Sequence, residues 1–421
     1  MKNRNILRNQ YTVNDRDYQL KIPMKFEVFI PDNDCVRLIS QFVEEMGLTA
    51  LYGTYERMPS EKYASPAVML KILLYAYHER NEISSRVIEK NFRRDINYMY
   101  LLEGAPAPEH ATIARFRSEH FAKCSQEMLS HMTHLLYELD QITDTEVFID
   151  GTKIEADANR YTFVWKKSVT KHQARHLQRT ALLVEDIIQR YDLKPFVEQM
   201  KESLAFRFKR IVADAGYESE ENLKYLEKEG IEAYIKPANY EQIGTKKLAT
   251  QIGKKENMSY DADEDCYICH NGKKIRKVKT RLVKTGSGYL REETHYRCRD
   301  CDGCPYRVEC MPGKNWKRPV EKRFKKLVVS KEFERLRKKE YELIETEEGK
   351  KLRMNRSIQA EGGFGDIKGD SEFTRFLCRG KENVMAEYIL FAMAHNLGWL
   401  HSRIQNDKLD LHLYELKEEA A

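Results

Sequence analysis

The sequence predicts an α+β protein that is mainly helical. Three observations lead to this prediction: helical spacing of apolar residues through the first 140 residues, two later short apolar runs that read as strands, and a basic, cysteine-rich segment beyond them. At 421 residues the chain is long enough for two or three domains, and a hydrophobic fraction of 41% is sufficient for ordinary cores.

Residues 1–140 are predicted to form a helical domain. Apolar spacing indicates a helix over 35–46, and Ser65 followed by Pro66 marks a capped helix start. Further helices are predicted from about residue 84 and, after Pro108, to about residue 136. The last of these carries Arg115 and Arg117, which suit a helix-turn-helix that contacts DNA. Simple packing of a helical bundle predicts much the same pattern, so both interpretations stay open.

Residues 141–240 are predicted to alternate strands with helices. Apolar β-type runs indicate strands, and 3.6-residue periodicity with end signals indicates helices. The strands are expected at 146–155, 210–214 and 233–237, and the helices at 168–205 and from the N-cap Ser219 to Gly230.

Three carboxylates occur in settings suited to a metal site. Asp150 and Asp214 each end a short apolar strand and are followed within two residues by glycine, which would hold the carboxylate at the rim of a sheet. Glu361 lies within about two helical turns of Arg356 and Lys368. Rigid, converging oxygens are what Mg²⁺ requires, and three acids can complete a two-metal site. A single strand-end aspartate is more often a turn former, and Glu361 could simply be salt-bridged.

The net charge of +6 hides an asymmetry along the chain. Residues 266–340 contain 23 Lys and Arg against 9 Asp and Glu, so this segment is +14 and the remainder is −8. Such a segment is a candidate for contact with a polyanion such as DNA, although the part from 320 to 345 could equally be a solvated helix face. No run approaches 18 apolar residues and the first residues are polar, so a cytoplasmic location is expected.

The nine cysteines are unevenly spaced, which argues against a disulfide framework and for reduced thiols. Cysteines two residues apart can close on one tetrahedral Zn²⁺. Two ligand sets are open, and we prefer the first because it closes shorter loops: Cys298, Cys301, Cys304 and Cys310, or Cys266, Cys269, Cys298 and Cys301. The isolated Cys35, Cys124 and Cys378 are predicted to be small buried hydrophobic residues.

The three acidic segments resemble the catalytic motifs of DDE transposases from bacterial insertion sequences. The resemblance lies in Phe148-Ile-Asp150-Gly-Thr-Lys-Ile-Glu-Ala, in Ile211-Val-Ala-Asp214-Ala-Gly-Tyr-Glu-Ser-Glu-Glu-Asn222, and in Arg356-Ser-Ile-Gln-Ala-Glu361-Gly-Gly-Phe-Gly-Asp-Ile-Lys368. It extends to the N-terminal helices, through Ser65-Pro66, Ser84-Ser-Arg-Val-Ile-Glu and Pro108-Glu-His-Ala-Thr-Ile-Ala-Arg-Phe-Arg117. These motifs are specific and cover nearly the whole chain.

The resemblance implies an RNase H-like core that cuts and joins double-stranded DNA at element ends and targets, with Mg²⁺ or Mn²⁺ as cofactor. Asp150, Asp214 and Glu361 would bind the metal, and Arg356 and Lys368 would contact phosphates. The core would be divided between 141–240 and 346–406 by the basic insertion 241–345, which could carry the zinc, and 407–421 would be a flexible tail. The resemblance also implies a homo-oligomer on DNA, associated with the nucleoid when bound.

The chain departs from this family between the first two acids. Only the 63 residues from 151 to 213 separate Asp150 from Asp214, and no alternating strands are visible after about residue 166. An RNase H-like core ordinarily has two more strands here, paired with the first. We therefore hypothesise an internal deletion of these strands, which would leave the strand of Asp150 unpaired on one side and weaken catalysis. A remnant that only binds DNA and a zinc-dependent nucleic-acid-binding regulator are the alternatives to an active transposase.

Overall fold

The structure is a computed structural model that describes residues 29–56, 63–79, 83–150, 193–312, 319–362, 376–409 and 412–415. Several predictions fall outside these residues. They are the strand beyond residue 150, the helix over 168–192, the deletion hypothesis for 151–192 and the position of Lys368.

Short helices form the N-terminal region, as the sequence predicts. Ser65 caps α3, because its hydroxyl accepts a hydrogen bond from the Val68 amide (3.2 Å) and Pro66 occupies the first helical position. A π-helical turn, Phe116–Phe121, joins the last two helices into one continuous segment. The helices are α1 (Cys35–Glu45), α2 (Thr49–Gly53), α3 (Pro66–His78), α4 (Ser85–Asn91), α5 (Ile96–Leu101), α6 (His110–Arg115) and α7 (Ala122–Glu138).

A three-stranded parallel sheet follows. Strand β1 (Glu146–Ile149) pairs with β2 (Arg210–Ala213), and β2 pairs with β3 (Glu232–Ile235). Helix α8 (Leu193–Leu204) precedes β2, and α9 (Glu220–Lys228) connects β2 with β3. As predicted, Ser219 caps α9 through the Asn222 amide, and Gly230 follows the helix with a positive φ of 71°.

The cysteine-rich segment contains a five-stranded antiparallel sheet that the sequence does not predict. The strands lie in chain order and are held by a long β6–β7 hairpin. Short helices α10 (Lys246–Ala249) and α11 (Arg307–Cys310) accompany them. The strands are β4 (Ser259–Asp261), β5 (Cys266–Ile268), β6 (Lys274–Lys284), β7 (Leu290–Cys298) and β8 (Lys326–Val329).

Three helices complete the described chain. Helices α12 (Lys331–Glu345) and α13 (Glu347–Arg356) pack beside the parallel sheet, where Ile344 and Leu352 are buried against Val212 and Tyr234. The long helix α14 (Lys381–Gln405) packs instead between the N-terminal helices α3 and α7 and shares their hydrophobic core. None of the described helices is long and apolar enough to cross a membrane.

Candidate active site

Asp150 and Asp214 lie next to each other at one edge of the parallel sheet. The register pairs Ile149 with Ala213, the residues just before the two acids. Neighbouring strands are about 4.8 Å apart, and parallel strands end at the same edge. The structure therefore brings the first two predicted site residues together, as expected from apolar strands that each stop at an aspartate.

Asp214 is held in a defined orientation by its own backbone turn. Its Oδ1 accepts a hydrogen bond from the Gly216 amide (2.8 Å) and caps the 3-10 turn Ala215–Tyr217. A Cβ added at Gly216 would stand 3.0 Å from the same oxygen. The glycine after the acid thus permits a close approach that positions the carboxylate.

The segment that carries the third acid lies against β1. Helix α13 ends at Arg356, and a π-helical turn, Ser357–Glu361, follows it and contacts β1. Arg356 Nη1 is 3.4 Å from Asp150 Oδ2, and both side chains are largely buried. The turn that ends at Glu361 therefore lies near the strand of Asp150, while the side chain of Glu361 is outside the described residues. Such π turns occur often at functional sites, and apolar periodicity gives no signal for them.

The opposite edge of the sheet is stabilised by ion pairs. Arg210 begins β2 and contacts Glu146 of β1 (2.9 Å), Glu232 of β3 (3.4 Å) and Glu348 of α13 (2.9 Å). One guanidinium thus ties together three strands and a helix. This arrangement leaves the carboxyl-end edge, with its two aspartates, as the candidate site.

Sequence reasoning missed the groups that surround the end of β3. The buried carboxylate of Glu218 pairs with Arg337 and accepts a hydrogen bond from the Ala238 amide (2.8 Å), and Arg337 also donates to Asn239 Oδ1 (2.6 Å). Lys236 follows β3 at the same edge as the aspartates and pairs with Glu241. In the sequence, Glu218 is recognisable only as part of the second motif.

The donor chemistry of the edge fits a hard divalent cation. Two neighbouring carboxylates supply the oxygen ligands that Mg²⁺ and Mn²⁺ prefer. Within the part of the chain that the structure describes, no group of three or more His, Cys, Asp or Glu is arranged to hold a metal ion. A complete site would therefore need a third ligand from outside the described side chains, and the sequence predicts Glu361 for this role.

The cysteines of the insertion are close to one another but are not arranged as a metal site. All nine cysteines of the chain are free thiols. The Cys301 sulfur accepts from the Lys325 amide (3.5 Å) and the Cys304 sulfur from Asn271 Nδ2 (3.7 Å), which brings the turn after Cys269 onto the Cys301–Cys304 loop. Burial and the adjacent Cys301 raise the pKa of Cys298 to about 12. These contacts place Cys269 beside the preferred ligand set. Cysteines from both predicted ligand sets therefore lie close together.

The isolated cysteines have buried surroundings. Cys35 and Cys124 are buried in the helical core, and burial raises their pKa values to about 12 and about 11. Cys378 is half-buried, and its pKa is also raised to about 11 by burial.

The two arginines predicted to contact DNA differ in their surroundings. Arg115 is exposed at the end of α6. Arg117 lies in the π turn and donates to the hydroxyl of the buried Tyr77 (3.2 Å) and to the Ile83 carbonyl (3.5 Å). The guanidinium of Arg117 therefore faces the helical core.

Two family models match the chain. A family described as "Transposase DDE domain" matches residues 268–401, and one described as "Transposase domain (DUF772)" matches residues 24–119. The two matches support a DDE transposase of an insertion sequence. No curated protein and no solved structure matches this transposase.

The two matches cover different parts of the transposase. The DDE match includes Arg356, Glu361 and Lys368 together with the cysteine-rich segment from residue 268 onwards, and it ends inside α14. The other match covers α1 to α6 with Arg115 and Arg117. Asp150 and Asp214 lie between the two matched segments, so their assignment rests on the strand-end geometry described above.

Proposed function

We propose that this transposase cuts and joins DNA strands at the ends of an insertion sequence, with Asp150, Asp214 and Glu361 as ligands of Mg²⁺ or Mn²⁺. One observation supports this most strongly: Asp150 and Asp214 follow neighbouring parallel strands in matched register, with the Arg356–Glu361 segment against the first of them. The proposal includes an RNase H-like core, since the order β1-β2-β3 agrees with the parallel part of such a sheet.

The residues at the edge have separate tasks in the proposed reaction. Bound divalent ions would activate a water or a 3′-hydroxyl and stabilise the departing oxygen of an in-line phosphoryl displacement. The Gly216 amide orients Asp214, and Arg356 contacts Asp150, so both carboxylates that would hold the cation have a defined neighbour. Arg356 and Lys368 would contact a DNA phosphate.

The wider assignments also belong to this proposal. Arg115 and Arg117 are proposed to contact DNA from the helical domain, and Arg117 would have to leave Tyr77 to do so. We propose that the transposase acts as a homo-oligomer on double-stranded DNA in the cytoplasm, at the nucleoid when bound. The division into a helical domain (1–140), a split core (141–240 and 346–406), an insertion (241–345) and a tail (407–421) remains part of the proposal.

Zinc binding by Cys298, Cys301, Cys304 and Cys310 is proposed for the insertion. The closeness of these thiols to Cys269 supports a shared site, although the described side chains do not form one. We expect about one zinc per purified chain by mass spectrometry, and its loss in Cys301→Ser. Cys124→Ser, a substitution of a buried thiol in the helical domain, is the control and should retain the zinc.

The catalytic proposal is tested by cleavage of a plasmid that carries the element's own ends. Wild-type protein should nick this DNA with Mg²⁺ or Mn²⁺ and not with EDTA. Asp150→Asn and Asp214→Asn should each lower the rate by about 100-fold or more, because metal stabilisation of the transition state is worth several kcal/mol and each factor of ten is about 1.4 kcal/mol.

Asp140→Asn is the matched control. Asp140 lies between α7 and β1, its side chain is 88% exposed, and its φ of 56° is one that asparagine tolerates. This variant should cleave at the wild-type rate. If wild-type protein binds the ends but cleaves with neither metal, the DNA-binding remnant is correct and the deletion hypothesis gains support. Zinc-dependent binding without preference for the ends would instead favour the regulator.

A further inference from the structure

A β-bulge at Val278 sets the two faces of the β6–β7 hairpin. Below the bulge Arg276 pairs with Arg297 and Lys277 with Tyr296, and above it Lys279 pairs with His295 and Arg281 with Glu293. Val278 is the extra residue between the two registers. Because side chains alternate along a strand, uninterrupted alternation would have put Val278 rather than Lys279 on the face of Arg276.

The bulge therefore collects basic residues on one face. Residues that lie directly opposite each other in an antiparallel pair share a face, and every second residue along each strand does so too. Strand β8 adds to the same face, because Lys326 pairs with Arg297 and Val328 with His295. We call this surface the basic face; its basic residues are Lys274, Arg276, Lys279, Arg281, Arg291, His295, Arg297 and Lys326.

Glu293, the acid in the hairpin part of the basic face, is enclosed by its neighbours. Glu293 is only 7% exposed and contacts Arg291 (2.7 Å), Arg281 (3.3 Å) and His295 (3.6 Å). The hydrogen bond from Arg291 lowers the pKa of Glu293, so it stays ionised and fixes these side chains in place. Lys279, Arg281, Arg297 and Lys326 are exposed, so the face presents positive charge to solvent, and at its base Arg276 pairs with Glu264 (3.2 Å).

The other face of the sheet is used for folding. At the base of the hairpin Ile275, Tyr296 and Cys298 are buried in the small core of the insertion, and Thr294 is 2% exposed. Towards the turn this face carries the exposed Leu282, Lys284 and Leu290. The basic face therefore remains available to a ligand that lies along the full length of the hairpin.

The turn of the hairpin is attached to the element that follows Asp214. Glu220, at the start of α9, accepts hydrogen bonds from the hydroxyls of Tyr289 (3.0 Å) and Ser330 (2.6 Å), and Ser287 donates to Glu221. Glu220 is 6% exposed and its two bonds are part-buried, whereas the bond between Ser287 and Glu221 is exposed. The hairpin thus runs towards the carboxylate edge and is fixed there.

We infer that the basic face binds the phosphate backbone of double-stranded DNA and leads it to the carboxylate edge. This inference rests on the proposed function and assigns a substrate-binding surface to it. Cationic side chains about 7 Å apart along each strand and about 5 Å apart between strands match a polyanion better than a discrete anion. The contacts are made to the backbone, so they act on any sequence.

The test is the salt dependence of binding to a random-sequence duplex of about 30 base pairs. Each lost phosphate contact lowers the slope of log K against log salt by about 0.9. The double variant Lys279→Ala, Lys326→Ala should therefore lower the slope by about 2. The control, Lys284→Ala with Lys338→Ala, removes the same charge from the other face of β6 and from an 81% exposed position on α12, and should leave the slope unchanged.

The outcomes separate this inference from the proposed function. A lower slope for the first variant alone supports the basic face, even if wild-type protein proves unable to cleave. Equal slopes for both variants and wild type overturn it, even if metal-dependent cleavage is present. A first variant that keeps its DNA slope but no longer self-associates in sedimentation would also overturn it, because the face would then join two copies of the chain.

Discussion

At the scale of single residues, Glu340 is a buried acid that caps an open strand edge. It lies on α12 and is 1% exposed, and its Oε1 accepts a hydrogen bond from the Ile235 amide of β3 (3.2 Å). Among the described residues no hydrogen-bond partner reaches Oε2. Burial, and next the neighbouring charge of Glu218, raise the pKa of Glu340 to about 9. The side chain is therefore protonated at neutral pH in the folded protein.

This shift makes the stability of the protein depend on pH. Between the ordinary value of 4.5 and about 9 the folded state keeps a proton that the unfolded state releases. The free energy of unfolding therefore falls by about 1.4 kcal/mol per pH unit as pH rises through this window, and the full stability is present below it. Glu340→Gln keeps an oxygen for Ile235 and should flatten the dependence measured by urea denaturation between pH 5.5 and 8.5.

Glu342→Gln is the control for this prediction. Glu342 is on the same helix with a 66% exposed side chain, and its substitution should leave the pH dependence as in wild type. Parallel curves for Glu340→Gln and wild type would show that Glu340 is ionised in the folded protein.

At the scale of elements, the bulge at Val278 determines which side chains of β6 face which way. Val278 is 57% exposed and lies outside the paired register, so its deletion removes the bulge without changing any pair above or below it. We expect this deletion to change stability by less than about 1 kcal/mol and to keep the DNA-binding slope. Thermal denaturation and salt titration measure the two quantities.

An inserted alanine after Thr280 should have the opposite effect. It would turn Arg281 to the other face and leave the buried Glu293 without one of its partners. A lower slope and lower stability are expected. If the deletion also lowers the slope, the faces of the hairpin are not set by this register.

Sequence reasoning succeeded where local signals decide the structure. Ser65 with Pro66 and Ser219 with Gly230 are end signals that act within one helical turn, and both helices form as predicted. The neighbouring positions of Asp150 and Asp214 also followed from local patterns, since two apolar strands that end in acids share an edge if they are parallel.

Sequence reasoning failed where the structure depends on pairing between residues that are far apart in the chain. In β6 the run Lys274–Lys284 is interrupted by lysines and arginines, so it shows no apolar alternation, and its strand form depends on β7. The π turn at Ser357–Glu361, the burial of Glu340 against β3 and the turn of Arg117 towards Tyr77 likewise depend on packing between elements. No single window of the sequence contains these partners.

At the scale of the whole molecule, the last long helix packs against the N-terminal helices. Helix α14 buries Leu390 and Phe391 in the core of the N-terminal helices, and the Phe391 ring meets Tyr77 of α3 edge-on at 4.7 Å. The tail is also attached, since Asn355 of α13 accepts from the Tyr414 amide (2.7 Å) and donates to the Tyr414 carbonyl (2.8 Å). The helical unit therefore contains residues from both sides of the segments that carry Asp150, Asp214 and Glu361.

This connection predicts that α14 and the N-terminal helices unfold as one cooperative unit. Phe391→Ala should lower the opening free energy of amides in α3, α7 and α14 together by about 3 kcal/mol or more, measured by native-state hydrogen exchange, because it removes a buried ring from their shared core. Amides of β2 and β3 should keep their protection. Leu226→Ala, in the core of the parallel sheet, should have the reciprocal effect on β2 and β3 and leave α3 unchanged. If Phe391→Ala affects α14 alone, the last helix is a separate unit and does not couple the two ends of the transposase.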